Sequence, residues 1–402
     1  MRFVVLGDLH LDPRNPEPFE RARDQIRALE PEAIICLGDL GSGRKSGTRG
    51  SFEAARSYLA SFGVPSSAIL GNHDLERIDQ FSSDAEVVQC FTEVFECERP
   101  YRCVELGETL GILLSSTGFR GNRGYQHEVS IDDAQFAWFR ETLEANPERP
   151  TAVFSHAPPL GSHLRVLQYP HLRAGNAWLN QSNRPQRFLD LLGEHPQVRL
   201  WFSGHNHLGQ NYPDSVSLVG RCLFVHTGVI GRETRDGQRH SRLVYHATDT
   251  RTDQPSIRVD TLDHATGQLA ADVRFDLSAN RIERPTPAPA EPMGRFFSPR
   301  SFDDSKTDSE CFEMGQSLFC KHRGMLVEYD RRLGDPIGVV DDWPGRSQIT
   351  CEGDCVVVHS WLGRQRIHAN PDGFYFRIPS RKPRLINEVR VAVARRLGRR
   401  VW

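Results

Sequence analysis

The sequence lacks a long uncharged apolar segment, a strong charge imbalance and an even number of cysteines. Without such an apolar segment no transmembrane helix is predicted, and Met1 leads straight into a predicted strand without a secretory leader. The 50 basic and 52 acidic residues give a formal net charge of -2, which provides no global attraction to nucleic acid. Nine cysteines without an export signal are typical of a reducing compartment, so we expect a cytoplasmic location.

The chain is long enough for two domains, since 402 residues exceed one ordinary hydrophobic core. Residues 285–292 are rich in proline, which cannot continue a helix or a sheet and stiffens the chain into a spacer. The sequence therefore predicts one domain over residues 1–284, a linker over 285–292 and a second domain over 293–402. No internal repeat is present.

Five short islands of polar residues each follow an apolar run that is typical of a buried strand. Segments with helical periodicity lie between them, such as residues 18–29 and residues 131–143 behind the capping pattern Ser130-x-x-Asp133. Alternating strands and helices predict an α/β fold, in which side chains that directly follow the strands gather at one edge. The islands expected to converge are Asp8-Leu9-His10, Gly38-Asp39, Gly71-Asn72-His73-Asp74, Ser155-His156 and Gly204-His205-Asn206-His207.

The polar islands contain no cysteine, which argues against a structural zinc cage. Imidazole and carboxylate groups suit Zn, Fe and Mn, and seven donors exceed what one tetrahedral ion needs. Two ions about 4 Å apart, bridged by one carboxylate, account for the excess and clamp an in-line displacement. The candidate ligands are Asp8, His10, Asp39, Asn72, His156, His205 and His207.

Over approximately residues 1–250, the order Asp-x-His, Gly-Asp, Gly-Asn-His-Asp, His and Gly-His-x-His resembles the calcineurin-like metallophosphoesterase superfamily. The resemblance implies a four-layer α/β/β/α sandwich and a metallophosphoesterase in which metal-bound hydroxide attacks phosphorus. It implies that one metal is held by Asp8, His10 and His207. It implies that the other is held by Asn72, His156 and His205, with Asp39 as the bridge.

The resemblance also assigns roles to two residues that are not ligands. His73 is expected beside the scissile phosphate, where it stabilises charge or protonates the leaving oxygen. Asp74 is expected to orient the imidazole of His73. A positioned acid of this kind contributes roughly a hundred- to ten-thousand-fold in rate.

The motifs differ from those of the protein serine/threonine phosphatases, which carry Gly-Asp-x-Val-Asp-Arg-Gly and Gly-Asn-His-Glu. Gly-Asn-His-Asp is shared by class III cyclic-nucleotide phosphodiesterases and Mre11/SbcD-type nucleases. The segment Ser155-His156-Ala157-Pro158-Pro159 and the compact first motif look more like the former group, so we favour a small phosphodiester or nucleotide-type substrate. The alternatives are a nuclease acting on DNA or RNA and a binding module that retains metal without turnover.

Three further segments are candidates for the substrate pocket. Residues 41–50 combine glycine with cations that suit phosphate, or form a solvated loop. Residues 160–184 form a long connection of the kind that often covers a site and recognises ligands. His226-Thr227-Gly228 either borders the site or forms a structural turn.

The remaining segments concern the sheets and the second domain. Residues 256–262 and 268–277 predict a hairpin that completes the second sheet. Residues 325–329, 337–340, 356–359 and 374–378 predict strands of a small β-rich domain of unknown role.

The end of the chain, from Pro383 onward, predicts a basic amphipathic helix. Such a helix either docks on its own domain or contacts nucleic acid, an anionic membrane surface or a partner protein. In the same domain, Cys311, Cys320, Cys351 and Cys355 are candidates for structural zinc. Their spacings are looser than the usual pairs, so ordinary thiols are favoured.

Overall fold

A computed structural model describes residues 1–76, 80–118, 129–159, 162, 167–168, 179, 187–209, 215–234, 237–248 and 255–284, and only the strands between residues 296 and 377. Most of the long connection over residues 160–184, the linker over 285–292 and the basic segment from Pro383 onward lie outside the described residues. No helix among the described residues has the length and apolar character required to cross a bilayer.

The first 284 residues contain fourteen described strands and five described α-helices. The strands are β1 Arg2–Leu6, β2 Ala33–Cys36, β3 Ser66–Ala68, β4 Arg102–Leu106, β5 Thr109–Leu114, β6 Thr151–Ser155, β7 Leu167–Gln168, β8 Val198–Ser203, β9 Val216–Val219, β10 Cys222–His226, β11 His240–Thr248, β12 Pro255–Asp263, β13 Leu269–Asp276 and β14 Arg281–Glu283. The helices are α1 Glu17–Arg27, α2 Arg49–Ala60, α3 Asp84–Phe95, α4 Asp133–Glu144 and α5 Arg187–Glu194, with a 3-10 turn at Gly43–Lys45.

Thirteen of these strands form two sheets. The first sheet has the order β14-β13-β12-β11-β1-β2-β3 and the second the order β4-β5-β6-β8-β10-β9. Strands β1, β2 and β3 are parallel, as are β5, β6, β8 and β10, and the outer strands are antiparallel. Each sheet thus has a parallel part whose carboxyl ends carry the polar islands.

The side chains of β1 alternate between two faces of the first sheet, as the period of a strand requires. Val4 and Leu6 pack with helix residues of α1, α2 and α3, whereas Phe3 and Val5 pack against the second sheet, where the rings of Phe154 and Phe202 stack 5.3 Å apart. The opposite face of the second sheet is covered by α4 and α5. The layers are therefore α/β/β/α, which confirms the predicted fold class.

The hairpin predicted from residues 256–262 and 268–277 forms, but the sheet assigned to it was wrong. Strands β12 and β13 pair with each other and extend the first sheet through β11, which is antiparallel to β1. The physical reason is that the chain leaves the second sheet after β10 and β11 pairs beside β1, so the hairpin that follows adds to the same edge of the first sheet.

Helix α4 begins two residues later than the predicted capping pattern. The N-cap is Asp132, whose side chain accepts a hydrogen bond from the backbone N–H of Gln135 at 2.7 Å. Because an Asp at this position satisfies an otherwise unpaired amide of the first turn, the helix starts at Asp133 rather than Ile131.

The described strands beyond residue 284 form two antiparallel-rich sheets and one strand pair. The strands are β15 Phe296–Phe297, β16 Cys311–Met314, β17 Ser317–His322, β18 Met325–Asp330, β19 Pro336–Asp341, β20 Gln348–Glu352, β21 Cys355–Ser360, β22 Gly363–His368 and β23 Tyr375–Arg377. The sheets have the orders β16-β17-β18-β19-β23 and β20-β21-β22, and β15 pairs with β7. Cys311 and Cys320 lie opposite each other on β16 and β17, whereas Cys351 and Cys355 belong to the other sheet.

Candidate metal centre

The five polar islands meet at the carboxyl ends of the parallel strands of both sheets. The first sheet supplies the islands that follow β1, β2 and β3, and the second sheet supplies those that follow β6 and β8. All seven candidate ligands are buried. The sequence prediction that these islands converge is therefore realised in the structure.

One group of four side chains has the geometry of a metal site. Asp8, His10, Asp39 and His207 each offer one ligand atom, and these atoms lie within 4.8 Å of one another. His10 Nε2 is 2.9 Å from His207 Nε2, which is 3.5 Å from Asp8 Oδ1. Imidazole and carboxylate donors gathered at this spacing suit a borderline transition metal.

The other three candidate ligands gather around His156. Its Nε2 lies 3.1 Å from Asn72 Oδ1, 3.1 Å from His205 Nδ1 and 3.3 Å from Asp39 Oδ2. Its Nδ1 lies 2.8 Å from the carbonyl oxygen of Leu37, and a proton on Nδ1 leaves the lone pair of Nε2 directed into the centre. Asp39 Oδ2 is also 3.8 Å from His10 Nε2, so it lies between the two groups of donors.

The loops that carry the ligands are held in an unusual backbone conformation. His10, Asp39, His205 and His207 have φ angles of 42°, 49°, 72° and 52°. Non-glycine residues in this left-handed region are uncommon, and each costs on the order of 1–3 kcal/mol unless its surroundings impose it. Four of the seven non-glycine residues with positive φ in the described parts of the chain are candidate ligands, and such strain is often found at binding sites.

Two glycines of the motifs allow the carboxylates to approach the backbone. A Cβ at Gly71 would lie 2.2 Å from Asp39 Oδ1, and a Cβ at Gly204 would lie 2.6 Å from Asp8 Oδ2. In the space they leave, Asp39 Oδ1 accepts a hydrogen bond from the N–H of His73 at 2.9 Å, and Asp8 Oδ2 accepts one from the N–H of His205 at 2.7 Å. One oxygen of each carboxylate is thus fixed by the backbone.

The second oxygen of each carboxylate is left for a cation. Within the stretches that the structure describes, Asp8 Oδ1 and Asp39 Oδ2 are buried and make no hydrogen bond. A buried anionic oxygen is costly unless it is paired or coordinates a metal. These two atoms, together with the nitrogen donors that face them, therefore fit a metal centre.

The charges of the centre depend strongly on one another. Burial alone raises the pKa of the Asp8 and Asp39 carboxyls, but the facing imidazoles, above all His156, hold it well below the usual range. Burial alone lowers the pKa of His156, but the carboxylates of Asp39 and Asp8 raise it to about 10. Bound metal must therefore displace a proton that the carboxylates otherwise hold on His156.

His73 lies beside the metal ligands and contacts a residue that the motifs did not reveal. Its ring is 5.7 Å from that of His10, and its side chain is partly exposed. Its Nδ1 lies 2.8 Å from Oε2 of Glu76, a fully buried carboxylate. Glu76 was missed because it stands outside the recognised motif. The sequence does contain a signal, since Glu76 is an acidic residue three positions after His73 and four positions after Asn72.

Asp74, which was predicted to orient His73, makes different contacts. Its Oδ1 accepts a hydrogen bond from the N–H of Leu40 and its Oδ2 accepts one from the N–H of Gly71, both at 2.9 Å. Burial and the neighbouring Asp39 raise the pKa of Asp74 to about 7. Asp74 therefore ties the loop after β2 to the loop after β3, and the predicted contact with His73 is corrected to Glu76.

The glycine-rich segment at residues 41–50 packs against the same motif. Ser46 Oγ donates to the carbonyl oxygen of His73 at 3.0 Å, and Gly47 lies against the backbone of Asp74. Thr48 then caps α2 through a capping box with Ser51. These contacts give the segment a structural function, and its predicted affinity for phosphate stays a prediction.

Two further residues border the centre. Glu233 Oε2 lies 3.5 Å from His10 Nδ1, and Glu233 also contacts Ser42, so an exposed carboxylate flanks the first group of ligands. His226 is buried at the end of β10, and burial lowers its pKa to about 3. The N–H of Thr227 donates to Ser203 in the strand that precedes His205. The turn at residues 226–228 thus borders the centre and also joins two strands.

Comparison with known proteins identifies the family of this centre. The family model for calcineurin-like phosphoesterase matches residues 1–209, just over half of the chain. The chain belongs to the calcineurin-like phosphoesterases. The matched region contains all seven candidate ligands as well as His73, Asp74 and Glu76.

Among curated proteins, this calcineurin-like phosphoesterase is similar to two named phosphodiesterases. It is 26% identical over 196 residues to a 3',5'-cyclic-nucleotide phosphodiesterase of Nostoc sp., covering 48% of this chain and 62% of that protein. It is 26% identical over 192 residues to the glycerophosphodiester phosphodiesterase GpdQ of Enterobacter lignolyticus, covering 44% and 56%. The chain thus spans less than two thirds of the length of either relative.

Two solved structures are also similar to the calcineurin-like phosphoesterase described here. A dimetal phosphatase from Danio rerio matches with a TM-score of 0.46 and 14% identity, covering 65% of this chain and 95% of that one. A purple acid phosphatase from yellow lupin seeds matches with a TM-score of 0.45 and 13% identity, covering 67% and 52%.

Proposed function

We propose that the protein is a dinuclear metal-dependent phosphodiesterase that hydrolyses a small, nucleotide-type or other low-molecular-weight phosphodiester. The observation that carries the proposal is the position of Asp39 Oδ2, a buried oxygen without a hydrogen bond among the described residues, between the donors around His10 and those around His156. One shared carboxylate with two groups of donors is the arrangement that a metal pair requires.

The seven donors divide into two ligand sets in this proposal. Asp8, His10 and His207 hold one ion, and Asn72, His156 and His205 hold the other. Asp39 serves both. The donor types suit Mn, Fe or Zn. When bound, such a metal pair polarises the phosphoryl group and supplies a water of lowered pKa as nucleophile.

The residues of the chain make two further contributions to the reaction. The buried loops exclude water from the ligands and fix their donor atoms, which removes much of the cost of reorganising them during the reaction. His73, partly exposed beside the centre, lies where it can donate a proton to the oxygen of the departing alcohol. A diester needs this assistance most when its leaving alcohol is weakly acidic.

The choice of a small phosphodiester is supported by the names of the curated relatives. One is named for cyclic nucleotides and the other for glycerophosphodiesters. The formal net charge of -2 provides no global attraction to a polyanion such as DNA. Nuclease activity on DNA or RNA and metal binding without turnover remain outcomes of the test.

A panel of substrates tests the proposal. Bis(p-nitrophenyl) phosphate, a 3',5'-cyclic nucleotide, a glycerophosphodiester and single-stranded DNA are incubated with the purified protein, with Mn and with a chelator. We expect chelator-sensitive hydrolysis of the first compound and of at least one of the two small natural diesters. Cleavage of DNA alone would support a nuclease, and absence of all hydrolysis in the metal-loaded protein would support a binding module.

A further inference from the structure

The structure assigns a function to Glu76: we propose that it is a positioning residue that fixes a metal ligand, Asn72, and the proton donor, His73, relative to each other. The catalytic half of the inference rests on the proposed hydrolysis, and its metal-binding half rests on the proposed assignment of Asn72 to the second ion, which a metal titration tests without any hydrolysis. Glu76 is fully buried, and a buried carboxylate is costly unless hydrogen bonds compensate for the lost water. Both of its oxygens contact residues of the centre.

The first contact determines how the Asn72 amide faces the metal. Asn72 Nδ2 donates to Glu76 Oε1 at 2.9 Å. A carboxylate only accepts hydrogen bonds, so it selects the NH2 group of the amide and turns the carbonyl oxygen the other way. Asn72 Oδ1 consequently lies 3.1 Å from His156 Nε2, among the donors of the second ion. Loss of Glu76 would remove the acceptor that holds the NH2 group of this amide.

The second contact determines which nitrogen of His73 is available to substrate. His73 Nδ1 donates to Glu76 Oε2 at 2.8 Å. With Nδ1 held in this way, Nε2 is the nitrogen left to carry the proton that the reaction needs. A carboxylate paired with an imidazole fixes the orientation of the ring and its tautomer, as in other acid–base sites.

The two contacts together couple binding to proton transfer. Because the oxygens of one carboxylate have a fixed separation, a displacement of Asn72 displaces the partner of His73 as well. The three residues belong to one short segment, Asn72, His73 and Glu76, so their arrangement is local. Asp74, the other acidic residue of the segment, is directed elsewhere, since its carboxylate oxygens accept backbone hydrogen bonds from Leu40 and Gly71.

The experiment compares Glu76→Gln, Glu76→Ala and His73→Ala with the double variant His73→Ala/Glu76→Gln. The matched control is Glu93→Gln, an exposed glutamate of α3. The substrates are two phosphodiesters that differ in their leaving group. One releases p-nitrophenolate and the other releases an alkyl alcohol. Bound Mn is measured separately by titration of the metal-free proteins.

For Glu76→Gln we expect the Mn stoichiometry of the parent, since glutamine retains an acceptor for Asn72. Hydrolysis of the alkyl diester should fall by about a hundredfold, within the range for a positioned acid, and that of the nitrophenyl diester by less than about tenfold. The double variant should be no slower than His73→Ala alone, because residues that act as one unit do not have additive effects.

For Glu76→Ala we expect weaker binding of one Mn by roughly 10- to 100-fold, the usual cost of losing a residue that orients a ligand. The control should match the parent in all measurements. Multiplicative losses in the double variant, or equal losses with both leaving groups, would overturn the link to His73. Unchanged Mn affinity in Glu76→Ala would overturn the link to Asn72. If the parent hydrolyses no diester, the proposed function fails, and the Mn titration still decides the inference about Asn72.

Discussion

Among the described residues, the metal centre can be compared with an ion-pair cluster formed by the buried Arg242 and Asp272 with the half-buried Arg284. In the ion-pair cluster, Arg242 contacts Asp272 Oδ2 and donates to Thr261 at 2.7 Å, while Arg284 donates to Asp272 Oδ1 at 2.6 Å. In the metal centre, by contrast, one oxygen each of Asp8 and Asp39 has no hydrogen bond in the described parts of the chain.

The difference shows how each cluster meets the cost of burying an anion. A buried carboxylate requires compensating positive charge and hydrogen bonds. For Asp272 the protein supplies both, and although burial raises its pKa, the two arginines lower it overall. For Asp8 and Asp39, the described neighbours of the open oxygens are imidazoles, so compensation depends on protons or on metal. The first cluster is structural, and the second is built to receive a cation.

The largest effect should come from removing the shared carboxylate. We expect Asp39→Asn to lower the occupancy of both metals and to abolish hydrolysis, as chelation does, because each ion loses a ligand and the charge that holds it. Metal analysis of the purified variant provides the measurement. Asp272→Asn is the matched control and should retain both metals. Normal metal content in Asp39→Asn would contradict the bridging assignment.

The second-largest effect concerns His73, the expected proton donor, and should distinguish it from the metal ligand Asp39. His73→Ala should keep both metals and slow turnover by a hundredfold or more, since only proton donation is lost. Steady-state kinetics and metal analysis on the same preparation test this expectation. Loss of metal equal to that in Asp39→Asn would refute the division of functions.

A third prediction concerns stability and is aimed at the ion-pair cluster. Asp272→Asn leaves Arg242 buried without its anion, which should lower the free energy of unfolding by about 3–5 kcal/mol. Urea denaturation of the metal-free protein measures the change. Glu105→Gln removes the exposed partner of Arg149 and should have little effect, because exposed pairs are screened by water. Similar stability of the two variants would show that the cluster is not structural.

The smallest expected effect concerns the dependence of stability on pH, and it follows from a comparison of two buried histidines. The carboxylates raise the pKa of His156, whereas burial, assisted by His240 and Arg239, lowers that of His264 to about 3. Gln25 and Ser241 contact the ring of His264 at 2.9 and 3.0 Å. Above pH 6.5 both the folded and the unfolded states leave His264 neutral. Below it the unfolded state binds a proton that the folded state does not, so acid destabilises the fold.

Between pH 6.5 and 5 this difference should cost roughly 1.5 kcal/mol of unfolding free energy. Over the same pH interval, the free energy of unfolding of His264→Asn should fall by roughly 1.5 kcal/mol less than that of the parent. Urea denaturation of both metal-free proteins at several pH values measures this difference. If the free energy of unfolding changed equally with pH in both proteins, the assignment to His264 would be contradicted. Metal-free protein is used because release of metal by acid would otherwise obscure the comparison.

The sequence predicted the alternating strands and helices and the convergence of the ligands because both follow from local patterns, whereas the α/β/β/α layering was implied by the resemblance to the family. Each apolar run predicted a strand, and the polar side chains from Asp8 to His207 followed those strands directly. Partners fixed by tertiary packing were not predictable. The pairing of β11 with β1 joins residues more than 200 positions apart, so the hairpin was assigned to the wrong sheet. Asp74 and Glu76 are both acidic and close in sequence, and only their side-chain contacts distinguish them.

The division of the ligands between the two sheets has a mechanical consequence. Asp8, His10, Asp39 and Asn72 follow strands of the first sheet, whereas His156, His205 and His207 follow strands of the second. In the proposed assignment each ion takes ligands from both sheets, so a bound metal pair cross-links two layers that otherwise meet through apolar side chains. Loading should therefore make the two sheets unfold as one cooperative unit, stabilised by the free energy of metal binding.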